Sequence, residues 1–315
     1  MKNFYSNIYS FNKKILNKTV KILKEGNLAG LPTETVYGLA GNAYSKKAVK
    51  KIFKLKKRPG KNPLIIHYKN INDAKTDVIL NDDFYKLYKN FCPGPITFVL
   101  KKSKNSKITS LAIANLNTVA IRFPKNKVMN SILKLIDFPL AMPSANLSSK
   151  LSPVQASDVF EDFKKKLSII INGGRSKIGI ESTVIDLSEK PKILRPGIVS
   201  ETKIKSILQK NFSNKKNKIK SPGMLKKHYS PGIPIIFGRE PKNINYAYVF
   251  YGKKHKNFKN YFNLSKKGDL KEAASNLYKT MRKIKKKGYK KIFINKFPKK
   301  GVGIAINDRL TRASK

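Results

Sequence analysis

Between residues 13 and 25, apolar side chains recur at helical spacing, with Ile15, Leu16, Val20 and Leu23 on one side and lysines opposite. The pattern predicts an amphipathic helix. Leu28–Leu31 is a short apolar run ending at Pro32 and predicts a strand. Residues 46–57 predict a basic helix stopped by Pro59-Gly60. Pro63–Tyr68, Thr97–Leu100, Val119–Phe123 and Leu140–Met142 predict buried strands, with helices near 82–90 and 127–136. Ser152-Pro153 has the form of a helix start, a hydroxyl cap followed by proline, and predicts a helix running to Leu167. Ser168–Ile171, Thr183–Leu187 and Ile193–Arg195 predict strands, and 200–209 another helix. Strands and helices are mixed rather than segregated, which predicts an α/β fold.

The pattern breaks at 210–231, a polar, basic stretch punctuated by proline and glycine, and reads as a linker. A second α/β pattern follows. Pro234–Phe237, Tyr246–Tyr251 and Lys291–Ile294 predict strands, and 270–287 and 303–313 helices. The expected organisation is a domain over 1–209, a linker over 210–231 and a small domain over 232–315. A length of 315 residues permits two domains, and 40% hydrophobic residues suffice for packed cores. No apolar run approaches the ~18 residues of a membrane helix. The N-terminal stretch lacks the apolar core and cleavage site of a secretory signal. A lone Cys92 excludes an internal disulfide and fits a reducing cytoplasm, so a cytoplasmic protein without a membrane partner is expected.

Charge changes this picture. The net charge of +50 steers anions to the surface, and salt weakens that steering. A chain so rich in Lys, Asn and Ile also carries the mark of AT-rich codons, and that bias is the main reading of the excess. Only eight of the 68 basic residues are arginine. Where lysine is written so freely, an arginine marks a place that needs a planar, forked guanidinium.

Candidate chemistry lies at element ends, where α/β proteins bind ligands. Pro32–Leu39 puts two hydroxyls and a carboxylate after a strand. Lys54–Asn62 reads either as a solvated helix end or as a phosphate clamp of Lys56 and Arg58. His67 beside a buried strand reads most simply as a packed residue. Ser144 and Asn146 offer a hydroxyl and an amide, Ser152 reads as a cap, and Glu181-Ser182-Thr183 precedes a strand that Leu194-Arg195-Pro196-Gly197 neighbours. Arg58, Arg122 and Arg195 all stand at strand or helix ends beside hydroxyls and amides, a combination that suits a small polar substrate plus a nucleotide. There is no GxxxxGK[ST] loop, no complete dinucleotide fingerprint, no metal-ligand spacing among His67, His228 and His255, and no GxSxG elbow. Direct transfer between bound substrates is then the natural mechanism.

In this order, LPTETVYGL, FKLKKRPGKNPLIIH, FCPGPITFVL, VAIRFP, MPSANLSSKLSP, GGRSKIGIESTVID and ILRPG resemble the YrdC/Sua5 family of threonylcarbamoyl-AMP synthases. SPGMLKKHYSP and GVGIAINDRLTRAS resemble the linker and C-terminal segment of its longer, two-domain type. The resemblance implies a twisted mixed sheet with a large concave cavity, joined to a small Rossmann-like domain. It implies a nucleotidyltransferase that joins L-threonine, bicarbonate or CO2, and ATP into threonylcarbamoyl-AMP and pyrophosphate. A downstream transferase then carries the group to tRNA to make N6-threonylcarbamoyladenosine. It places Lys56 and Arg58 as catalytic residues at the phosphates, with Asn62, Thr118, Ser144, Asn146, Ser152, Arg195, Tyr229 and Ser230 also facing ATP. Thr35, His67, Arg122 and Ser182 would hold threonine. Mg2+ would travel with ATP, without a carboxylate cage of its own. A non-catalytic RNA-binding relative, with weak tRNA or RNA binding from charge, is the alternative, and a carbamoyltransferase module of hydrogenase maturation a third reading.

Overall fold

The computed structural model describes residues 7–213, 221, 228–238, 243–253 and 258–315. Most of the expected linker, 214–220 and 222–227, lies outside the described residues, as do Arg239 and His255. In chain order the elements are β1 (Ile8–Ser10), α1 (Lys13–Lys24), β2 (Ala29–Leu31), β3 (Gly38–Asn42), α2 (Lys46–Lys56), β4 (Ile65–His67), α3 (Ile71–Lys75) and α4 (Asp82–Phe91). Next come β5 (Ile96–Lys101), β6 (Thr118–Arg122), α5 (Lys127–Lys134), β7 (Leu140–Ala141), α6 (Ala156–Phe163), β8 (Ile170–Asn172), β9 (Thr183–Asp186), β10 (Lys192–Arg195) and α7 (Glu201–Leu208). The second part holds β11 (Ile235–Phe237), β12 (Tyr246–Phe250), β13 (Tyr261–Asn263), α8 (Leu270–Lys286), β14 (Lys291–Ile294) and α9 (Val302–Ala313).

Two sheets organise these elements. The larger is mixed, in the order β1-β8-β2-β3-β7-β4-β6-β5-β9-β10. The smaller, β11-β14-β12-β13, is wholly parallel and packs against α8 and α9. This is the α/β class expected, with a large mixed sheet and a second small parallel-sheet domain. In the first domain, side-chain oxygens of Asn12, Ser45, Asn81 and Asn126 accept the third N–H of α1, α2, α4 and α5, satisfying donors that a helix start leaves free.

One expected helix starts late. α6 begins at Ala156, four residues beyond Ser152, and its regular part ends at Phe163. Pro153 does not open it, and Ser152 does not cap it. The Asp158 carboxylate accepts the N–H groups of Val154 and Gln155, and the Ser152 hydroxyl is committed to Glu181. β1, β3, α3 and β13 are additional to the expected elements. β1 and β13 are three-residue edge strands, too short for a period to show. β3 contains two glycines, and a Cβ at Gly38 would come within 2.4 Å of the Met142 side chain. Close packing against the segment after β7 therefore demands the residue that hides the strand pattern.

The two domains meet over a built interface. Val36, Leu151, Val154 and Ile180 from the first domain join the core of the second. Gly179, at φ +76°, lies so close to α8 that a Cβ would sit 2.6 Å from the backbone of Ser275. Arg175 Nη2 donates to Ser275 O (2.5 Å) and Asn276 Oδ1 (2.8 Å), and Arg282 Nη2 donates to Leu151 O (2.7 Å).

Candidate functional site

The ends of β2, α2, β4, β6, β7 and β10 converge on one cavity in the first domain, with about 530 Å3 of empty space, its mouth included. Each element delivers a polar group at its end. The turn between β2 and β3 brings Thr33 and Thr35, the end of β4 brings His67, and β6 brings Arg122 directly beside it in parallel register. Arg58 follows the left-handed residue that closes α2, and Ser144 follows β7. Arg195 ends β10, and His228 and Tyr229 cover the cavity.

The charges fall into two groups. Arg58 donates from Nε to Asn62 O (2.9 Å) and from Nη2 to Pro63 O (2.8 Å). Arg195 donates from Nε to Ser182 O (3.0 Å) and from Nη2 to Ser182 Oγ (3.0 Å). Behind them Lys56 is buried, and its Nζ donates to the carbonyls of Ser144 and Asn146, both at 2.5 Å. All three cations donate to neutral acceptors, and the one acid among the described lining residues, Glu181, offsets part of the Arg195 charge. Burial, and then the Arg58 charge, push Lys56 well below the usual ammonium range. Burial and then Arg195 push Arg58 down to about 9, still cationic near neutrality. Approaching phosphate oxygens favour the charged forms of both.

The second group is different. Arg122 Nη2 donates to Glu34 Oε1 at 2.7 Å, both side chains being nearly buried. His67 is fully buried, and burial and then Arg122 lower its pKa to about 3, so it is neutral. Its Nδ1 faces Ile65 O at 3.3 Å, which assigns the proton to Nδ1 and leaves Nε2 as an acceptor. His67 Nε2, Glu34 Oε2 and Arg122 Nε find no hydrogen-bond partner among the described residues. A cation, an anion and a neutral acceptor side by side match an α-amino acid, which carries both charges.

Of the residues singled out in the sequence, Thr35, Arg58, His67, Arg122, Ser144, Arg195 and Tyr229 line the cavity. Lys56, Asn62, Asn146 and Ser182 stand behind this layer, bonded to it or to its supporting loops. Asn146 donates to Leu147 O and Lys150 O, bracing the loop that Lys56 holds. Three further expected residues belong neither to the lining nor to the layer behind it. Ser152 is turned to Glu181, and Thr118 begins β6 at the strand end away from Arg122. Ser230 lines a separate hollow with Lys150, Arg282 and Lys285, held through its N–H on Ser149 O. Glu181 and His228, given no role in the sequence reading, line the cavity. Arg309, unassigned too, reaches Glu181 from α9 and lay open to the arginine criterion that singled out Arg58, Arg122 and Arg195.

The buried histidines make stability pH-dependent. His67 and His228 both have pKa values near 3 in the folded chain, first through burial, against an ordinary 6.5. A lowered histidine pKa means that the unfolded chain binds protons that the folded one refuses, so their contribution is complete above pH 6.5 and is lost as pH falls towards 3. At pH 5 each histidine costs about 2 kcal/mol. The urea midpoint should drop between pH 7.5 and 5, and less so in His228→Gln. Equal midpoints at the two pH values would show that the imidazoles are solvated.

A family model for Sua5, YciO and YrdC proteins, described as telomere recombination, matches residues 21–197. A second, described as the threonylcarbamoyl-AMP synthase C-terminal domain, matches residues 199–315. The threonylcarbamoyl-AMP synthase of Pyrococcus abyssi is 35% identical over 313 residues, covering 93% of this chain and 92% of that one. The Bacillus subtilis enzyme of that name is 33% identical over 327 residues, covering 97% and 94%. The crystal structure of P. abyssi Sua5 complexed with L-threonine superposes with a TM-score of 0.88 at 33% identity, covering 98% of this chain and 97% of that one.

Proposed function

The chain belongs to the two-domain Sua5 branch of the Sua5/YciO/YrdC family, and from that premise we propose that it is the nucleotidyltransferase that makes L-threonylcarbamoyl-AMP. L-Threonine, bicarbonate or CO2, and ATP are its substrates, and a transferase that modifies tRNA consumes its product. One observation carries the reading: the cavity sets Arg122 and neutral His67, with Glu34 paired to Arg122, beside a mainly cationic group in which Arg58 and Arg195 line the cavity, Lys56 stands behind them and Glu181 is the one acid among the described lining residues.

The reaction needs no protein nucleophile. The free amine of threonine adds to the carbon of CO2 and loses a proton, giving a carbamate anion. A carbamate oxygen attacks the α-phosphorus of ATP, and the bond to the bridging oxygen breaks, releasing pyrophosphate. Arg122 would take the threonine carboxylate, and His67 Nε2 can accept a hydrogen bond from the amine or hydroxyl. Lys56, Arg58 and Arg195 would neutralise the phosphates. Catalysis is then positioning and charge stabilisation. ATP would enter with its own Mg2+. The nearby carboxylates, Glu34 and Glu181, each face an arginine, so the ion would be held mainly by phosphate and water oxygens.

Pyrophosphate release should require ATP, threonine and bicarbonate together. Serine should work weakly, since one methyl in a fitted pocket is worth about 1–3 kcal/mol. A coupled pyrophosphate assay with each component omitted checks this, and equal rates with unrelated amino acids would overturn it.

A further inference from the structure

Glu181 is a buried carboxylate on the seam between the two domains, 6% exposed. It precedes β9 in the first domain and lines the cavity. From its own domain it accepts the Ser152 hydroxyl and lies in the field of Arg195. Two further side-chain donors come from the second domain. Tyr278 Oη of α8 lies 3.2 and 3.1 Å from its two oxygens, and Arg309 Nε of α9 donates to Oε2 at 3.0 Å. Burial alone would raise the Glu181 carboxyl, but Arg309, Arg195 and the Ser152 hydroxyl hold it below its usual range, so it is an anion.

The same two second-domain residues hold Tyr229. Its ring stacks on Tyr278, with centroids 5.9 Å apart at 22°, and the Arg309 guanidinium lies 5.3 Å from its centroid. Tyr229 is 1% exposed and sits at φ +64°, a left-handed conformation that costs an ordinary residue about 1–2 kcal/mol. Surrounding structure must impose it. Arg309 further donates from Nη1 to Pro196 O (2.7 Å), one residue beyond Arg195. It therefore touches three parts of the cavity's frame: the Glu181 wall, the Tyr229 cover and the chain that carries Arg195.

We propose that Arg309 is a positioning residue for the reaction: with Tyr278 it locks the cavity's anionic wall and aromatic cover into one arrangement, so that the site closes only when the second domain is seated. A buried ion pair adds little net stability over apolar packing, and this one acts on the groups that frame the ligand. The kinetic part of the inference rests on the proposed function; the structural part does not.

The test uses the full chain with Arg309→Met, Arg309→Lys and Tyr278→Phe, read by amide hydrogen exchange. In the folded protein His228 N–H is bonded to Arg312 O and Ser230 N–H to Ser149 O, so both amides report the seating of the cover. Exchange over 228–232 should rise tenfold or more in Arg309→Met and Tyr278→Phe, while β5 and β6 keep their protection. In turnover, kcat should fall and more of the ATP consumed should end as AMP rather than intact adenylate. The KM for threonine should hold, because Arg122 and His67 are untouched. Arg309→Lys, which keeps the charge but not the fork, should fall between. If Arg309→Met fails to fold, Tyr278→Phe and Arg309→Lys decide alone. Wild-type exchange over 228–232 in the folded variants would overturn the inference and reduce Arg309 to a tie between domains. Raised exchange in variants of a chain that releases no threonine-dependent pyrophosphate would leave the positioning role standing and remove the proposed function instead.

Discussion

Lys56→Met is expected to lower kcat/KM for ATP by about 100-fold or more, equivalent to about 2.7 kcal/mol of transition-state stabilisation. The side chain is 1% exposed, and its ammonium clips the carbonyls of Ser144 and Asn146. Methionine fills the same volume without the charge or the donors. The buried carbonyl of Asn146 then loses a partner, at about 1–3 kcal/mol, and the part-buried one of Ser144 loses one at less cost, so the unfolding temperature should fall as well. The larger effect is on catalysis, because the loop released carries Ser144 into the cavity and the missing charge is one of three set for the phosphates. Steady-state kinetics at a temperature where circular dichroism shows the variant folded separates the two. Activity within threefold of wild type would mean that Lys56 only braces the loop.

Arg58→Lys should cost roughly tenfold or more, about 1.4 kcal/mol. The guanidinium spends Nε and Nη2 on the carbonyls of Asn62 and Pro63 and still borders the cavity. Lysine has one compact head and cannot hold both carbonyls while facing a phosphate. Lys57→Arg is the control. Lys57 takes the left-handed turn that ends α2, is exposed, and borders a different hollow with Lys51, Lys54 and Leu55. It should stay within twofold of wild type. Parity between Arg58→Lys and wild type at moderate salt would return the 54–62 stretch to a solvated helix end.

The parts of the fold that were legible are those with room for a period. α1, α2, α4 and α8 each run ten residues or more and carry one apolar face. β1 and β13 have three residues each, and no alternation can establish itself in so few. Ser152-Pro153 misled for a different reason. The local rule for a helix start was met, but a carboxylate elsewhere in the fold claimed the hydroxyl, and Asp158 met the backbone donors instead. Arginine scarcity read the site better than any motif taken alone. Arg58, Arg122 and Arg195 meet at the cavity, while Arg175, Arg282 and Arg309 cross to the opposite domain. Which arginine served which purpose was not legible. Glu181 meets Tyr278 across 97 residues and Arg309 across 128, and no local pattern encodes either meeting.

Glu181 also constrains how this architecture can be inherited. In a lineage that kept only the larger sheet, the carboxylate would face an opening where α8 and α9 had been, stripped of the Arg309 ion pair and the Tyr278 phenol and left with Ser152 and the more distant charge of Arg195. An anion that has lost its direct ion pair is costly to keep beside apolar surface, so drift would favour something small or neutral there. Acquisition of the smaller domain would reverse the pressure and make the acid advantageous. The acid at this position and the arginine of the last helix should therefore be gained and lost together across descent, while Ser182 and Thr183 beside them, which answer to Arg195, Thr97 and Val199 of the larger domain, should ignore the event. A one-residue character in one domain would then record the presence of the other.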